Sequence, residues 1–158
     1  MRRVLFACAL FALAVPAVTF AARRAEGDGT LVVRNASGVV HVAARGSVIG
    51  SCDHCTIWID DPTPGDGSGP IVSGFAGKRD LTETKSRWSG SDIRFRLIGG
   101  FARTRVRGSG LDLYVVGKGS VTVQGWLMNV GTYAVDGGER RLLPFEPLSF
   151  QLGVKVDD

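Results

Sequence analysis

Histidine is nearly absent from this chain: its 158 residues include two, His41 and His54. A serine or cysteine triad needs an imidazole as its base, and here one histidine falls in a predicted tight turn and the other on the outer face of a predicted strand. The sequence contains no G-x-S-x-G elbow, no P-loop and no HExxH, so those hydrolase, nucleotide-binding and zinc-protease classes find no signature. Cysteine is equally scarce, at three. Asp60 and Asp61 adjoin in a polar loop, where solvated carboxylates are far commoner than a glycosidase dyad. With Asp66 they lack the spacing of an EF-hand. What is present is ordinary for a folded protein: 44% hydrophobic and 22% charged residues, which excludes a disordered or collagenous chain. The net charge of +4 includes Arg2 and Arg3 of an N-terminal targeting segment, so bulk charge says little about partners.

Met1-Arg2-Arg3 forms a short positive segment, and residues 4–18 are an apolar run broken only by Pro16. This pattern predicts a secretory signal peptide over residues 1–21, with the small residues Thr19 and Ala21 placed for cleavage and a mature chain beginning near Ala22. An uncleaved anchor is the rival reading, because the apolar stretch approaches the length that spans a bilayer. The mature chain itself carries no such span. Cys8 belongs to the apolar run, which continues well beyond it, and is read as part of the signal instead of a lipidation site.

Residues 22–158 read as a single all-β domain of antiparallel hairpins forming a sandwich or a barrel-like fold. Short runs of alternating apolar residues recur every eight to twelve residues or so, separated by turn-forming residues. The predicted hairpins turn at 35–38, at Asp53-His54, at Gly99-Gly100 and at 117–119. In the first, Leu31 and Val33 pair with Val42 and Val40, leaving His41 outside. Residues 60–70, DDPTPGDGSGP, contain three prolines and form a loop. Residues 80–88 could start a helix, since Asp80 and Glu83 have capping-box spacing, but Thr82 and Thr84 argue for a strand or irregular segment. The sequon Asn35-Ala36-Ser37 reads as a turn.

The most informative stretch is IRFRLIGGFARTRVR, residues 93–107. Apolar residues alternate with arginines on either side of Gly99-Gly100, and a two-glycine linker between such runs predicts a primed hairpin turn. That register places Phe95, Leu97, Ala102 and Val106 on the core face. It sets Arg96 opposite Arg103 and Arg94 opposite Arg105 on the other face. Like charges directly across a ladder repel, so this row of four calls for carboxylates, solvent or a bound anion.

Residues 93–125, with IRFRLIGG, RVRGSGLDL and VGKGSVTVQG, resemble small secreted all-β proteins of high-GC Gram-positive bacteria, a family with no assigned activity. The resemblance implies an exported β-domain and transfers no functional residue. Cys52 and Cys55 depart from that pattern. Their C-D-H-C spacing matches the dithiol of thioredoxin-fold oxidants, but Thr56-Ile57-Trp58-Ile59 continues as strand, and no helix follows to stabilise a thiolate. Zinc would need two more ligands, with only the two histidines to supply them. A structural disulfide across a tight turn fits best in an oxidising compartment.

The functional expectation is an exported, non-enzymatic module without a cofactor, whose Arg94, Arg96, Arg103 and Arg105 bind an anionic polymer of the cell envelope. The alternative is a structural or protein-interaction domain in which those arginines pair with Asp92, Asp112 or an acidic partner. A CxxC redox protein stands third. Nucleic acid is set aside because Phe101 is the only aromatic near the arginines. Trp58, Trp88 and Trp126 would make a sugar platform if they shared one surface.

Overall fold

The computed structural model describes residues 25–65, 67–126 and 131–153. The predicted signal peptide, with Cys8, and Asp66 of the acidic loop lie outside the described residues. The described chain is all-β and antiparallel, with no helix, and comprises β1 (Gly29–Asp60), β2 (Ile71–Ser73), β3 (Gly77–Asp80), β4 (Lys85–Gly125), β5 (Thr132–Val135), β6 (Arg141–Leu142) and β7 (Leu148–Leu152).

Two strands of unusual length dominate: β1 has 32 residues and β4 has 41. They pair along both of their edges. One ladder runs from Gly29 opposite Gly117 to Asp60 opposite Lys85, and a second from Gly38 opposite Gly125 to Asp60 opposite Arg103. Gly117 therefore sits between Gly29 and Gly46, so the next strand but one is the same chain 17 residues further on. The β1–β4 ribbon is thus wound into a coil. Its outer turns are covered by β2 and β3 at one end, and by β5 and β7 at the other. The seven-stranded sheet is not closed into a barrel.

The interior of the coil holds one apolar cluster, including Leu31, Val40, Ile57, Ile93, Val106, Leu113 and Leu152, all almost fully buried. Side chains alternate in and out along a strand, so a strand that bends around a core must reset its phase at each bend. In β1 the buried set passes from Leu31 and Val33 to Val40, Val42 and Ala44, and then from Cys52 to Cys55, Ile57 and Ile59. In β4 it passes from Ile93, Phe95 and Leu97 to Ala102, Thr104 and Val106.

The predicted hairpin turns are these phase resets. Gly99 and Gly100, at φ 80° and 63°, together face Gly46 across the ladder as a bulge. Leu97 pairs with Val48 instead of Ala102, and Ala102 with Ala44. Leu31 pairs with Val115 and Val135, not with Val42. Residues 53–54 likewise lie within a continuous strand. A bulge asks for the same left-handed backbone as a tight turn and resets the faces in the same way. The inward and outward assignments consequently hold while the pairing does not. At Gly46 and Gly117 the strands approach so closely that a Cβ at either would overlap the facing carbonyl oxygen, of Val116 or Arg45. Residues 80–88 form no helix: β3 turns into β4 through 81–84, where Lys85 N–H donates to Thr82 Oγ1 at 3.0 Å.

Candidate functional site

The four arginines singled out in the sequence do point outward, but they do not form one row. Arg94 and Arg96 lie about half a turn of the coil from Arg103 and Arg105. Neither predicted arginine–arginine pair exists. Arg96 instead stands between Ile49 and Ile71, and Arg94 between Ser51 and Ser73. Arg103 stands between Ala43 and Asp60, and Arg105 between His41 and Trp58.

This second pair belongs to a wall that crosses seven strand positions. Arg79, Arg87, Trp58, Arg105, His41, Thr122 and Ser149 succeed one another as cross-strand neighbours on the outer face. Trp58 occupies the centre of this cationic row, with the Arg105 guanidinium 5.1 Å and the Arg87 guanidinium 5.6 Å from its ring centroid. In neighbouring rows Arg103 lies 5.1 Å from the Phe101 ring and Arg107 lies 5.0 Å from the Trp126 ring. Such contacts hold a guanidinium over a ring while leaving its N–H groups for a ligand. Among the described residues, Arg79, Arg87, Arg105 and Arg107 have no carboxylate within ion-pair distance. Arg103 has Asp60 at 3.6 Å, and the same carboxylate reaches Lys85 at 3.8 Å. A depression of about 270 Å³ lies here, lined by His41, Trp58, Asp60, Lys85, Arg103 and Arg105 among others. Burial, and then the neighbouring Arg105 charge, hold the His41 imidazole below its ordinary pKa.

Arg94 and Arg96 border a larger cleft of about 540 Å³, lined also by Arg34, Ile49, Ser51, Ile71, Asp112 and Tyr114. Asp112, its one carboxylate, is engaged: it accepts the Asn35 N–H at 3.0 Å and lies 3.9 Å from Arg34. Arg94 and Arg96 pair with neither Asp92 nor Asp112 among the described residues.

The chain matches no family model, no curated protein and no solved structure. Its own surfaces are the guide to function.

Cys52 and Cys55 are disulfide-bonded, with Cα atoms 6.0 Å apart and both side chains buried. They are not opposed across a turn, as expected from sequence. They flank the phase reset at Asp53-His54, which turns two side chains three positions apart onto the same inner face. The three tryptophans do not share one surface: Trp58 and Trp126 are on the outside, whereas Trp88 is buried edge-on to Phe75 at 4.6 Å. Sequence reasoning missed Arg79 and Arg87 on the wall, and Arg34, Ile49 and Tyr114 in the cleft. Outward phase was readable for most of them; their neighbours were set by the coil.

Proposed function

We propose that this protein is an exported, non-enzymatic β-domain that binds an anionic polymer of the cell envelope through the wall centred on Arg87, Trp58 and Arg105. The observation that carries this reading is the row itself: the Arg87 and Arg105 guanidinium groups held against the Trp58 ring, outward, with no carboxylate within ion-pair distance among the described residues. Strand geometry spaces neighbouring rows by about 7 Å along each strand and about 5 Å across it, an arrangement that an extended polyanion can follow. Charge-assisted hydrogen bonds to phosphate, sulfate or carboxylate groups would supply the affinity. The sequence resemblance to secreted β-proteins and the N-terminal apolar segment support export. The wall differs from the row of four that the sequence alternation predicts, since Arg94 and Arg96 lie outside it and Arg79, Arg87 and Arg107 belong to it.

Trp58 also favours a second reading. The sequence places only Phe101 near the arginines, but in the fold Trp58 stands between Arg87 and Arg105, so single-stranded nucleic acid is a competing ligand. Retention on heparin, and binding to a polyglycerol phosphate and to oligo-dT, separate these cases when measured over a salt series. The expected result is salt-sensitive retention that Arg87→Gln with Arg105→Gln sharply reduces at unchanged melting temperature. Equal retention by that variant would make the wall structural, its arginines covering apolar surface with their stems. Stronger binding to oligo-dT than to the glycerol phosphate polymer would move the assignment to nucleic acid.

A further inference from the structure

The larger cleft differs in chemistry from the wall. Two cross-strand rows meet in it. Ile71, Arg96, Ile49 and Tyr114 follow one another from β2 across β4 and β1 to the next turn of β4, and beside them run Ser73, Arg94, Ser51 and Asp112. The first row is apolar apart from Arg96 and the Tyr114 hydroxyl; the second is polar throughout. Phe95 and Leu113, buried between the outward positions of the same β4 segments, also border the cleft. Ile71 is 56% exposed, on a three-residue edge strand, and the other aliphatic side chain of its row, Ile49, flanks Arg96 on the opposite side. Arg94 and Arg96, two positions apart on one face, stand about 7 Å apart along β4. A volume of about 540 Å³ falls within the range of small-molecule sites, which pair an apolar lining with a few placed polar groups.

From this juxtaposition we infer that the cleft is a binding site for an amphipathic anion, an aliphatic chain ending in a carboxylate or a phosphate monoester. The anionic head sits between the Arg94 and Arg96 guanidinium groups, and the chain lies along Ile71, Ile49 and the Tyr114 ring. Charge complementarity selects the anion: Arg34, Arg94 and Arg96 face one carboxylate, Asp112, which already holds Arg34 and the Asn35 N–H. The Ile71–Ile49 row selects an apolar body over a sugar or a nucleotide. The site is independent of the polymer-binding wall, which uses none of these residues.

Dodecanoate below its micelle concentration, dodecyl phosphate and dodecyltrimethylammonium are the probes, titrated calorimetrically against the folded protein. Saturable binding of one dodecanoate or one dodecyl phosphate per chain is expected, with little binding of the cationic amphiphile. Arg94→Gln with Arg96→Gln should weaken anion binding by about tenfold or more, as loss of charged hydrogen bonds does. Ile71→Ser, at an exposed edge where folding does not depend on it, should weaken the same ligands several-fold while leaving butyrate, which lacks a chain, as weak as before. Arg87→Gln with Arg105→Gln should leave dodecanoate binding unchanged, which separates this site from the wall. Equal binding of the cationic amphiphile, or dodecanoate binding unaffected by the arginine and Ile71 changes, would overturn the inference.

Discussion

Arg94-Phe95-Arg96 and Arg103-Thr104-Arg105 are near-repeats in sequence, each placing two guanidinium groups outward around one buried residue, yet the coil gives them opposite surroundings. The later pair meets rings and a carboxylate: Phe101, Trp58 and Asp60. The earlier pair meets Ile49, Ile71 and two serines across the ladders, with its charges unpaired among the described residues. Local sequence thus decides which way an arginine points, and the strand that lies beside it decides what the arginine can do. A guanidinium already held over a ring is preorganised and belongs to a rigid charged row. One beside a bare apolar floor is open to a ligand that brings both an anion and a chain.

The difference between the two regions depends on the winding of the ribbon, so the most damaging change removes the winding. Gly46→Val places a branched side chain against the Val116 carbonyl at a backbone φ of 146°. It should cost about 3 kcal/mol or more in urea denaturation, abolishing both surfaces together. An unchanged midpoint would mean that the strands do not approach as described.

A gentler change tests the inner anchors of the two pairs. Phe95 packs in the core, whereas Thr104 is 2% exposed with a hydroxyl that has no hydrogen-bond partner among the described residues. Thr104→Val keeps the shape and removes the unsatisfied group, so stability should rise by about 1 kcal/mol, with heparin retention intact. Destabilisation in the same denaturation experiment would show that the hydroxyl is bonded in solution.

The smallest effect expected is that of pH, and it should appear at one region only. Because folding lowers the His41 pKa, stability is full above the unfolded value near 6.5 and declines as pH falls below it. A polyanion on the wall stabilises the imidazolium, so polymer binding should strengthen over that same window. His41→Gln should flatten both dependences, followed by thermal melts and by heparin retention between pH 5 and 8. Dodecanoate binding at the cleft should be insensitive to this change, since His41 does not line it.

Face and fold class were legible in the residues; adjacency was not. The alternation around Gly99-Gly100 assigned Phe95, Leu97, Ala102 and Val106 to the core, and all four are buried. The disulfide is expected from the spacing of its two cysteines and is present, although not across the turn that the spacing predicts. The register failed because a bulge and a two-residue turn make the same local demand on glycine, and only the distant partner strand distinguishes them. Arg105 meets Trp58 through a pairing 47 residues away in sequence, a contact that no local pattern encodes. Arg96 and Arg103 would be neighbours only across a hairpin, and within the continuous strand β4 they are not paired.

The wound ribbon also constrains how the chain reaches its native state. Its nearest rung, Asp60 opposite Lys85, joins residues 25 apart, while its farthest, Gly29 opposite Gly117, joins residues 88 apart. Loop-closure entropy favours the first, so the ribbon zips outward from the segment that joins β1 to β4. The second ladder cannot form until the first has curled, since it pairs β1 with residues of β4 17 or 18 positions further on. Such non-local pairing belongs to the slow end of two-state folding. The wall becomes complete late in that order, because Arg87 and Trp58 meet on the first ladder, whereas Arg105 reaches Trp58 only on the second.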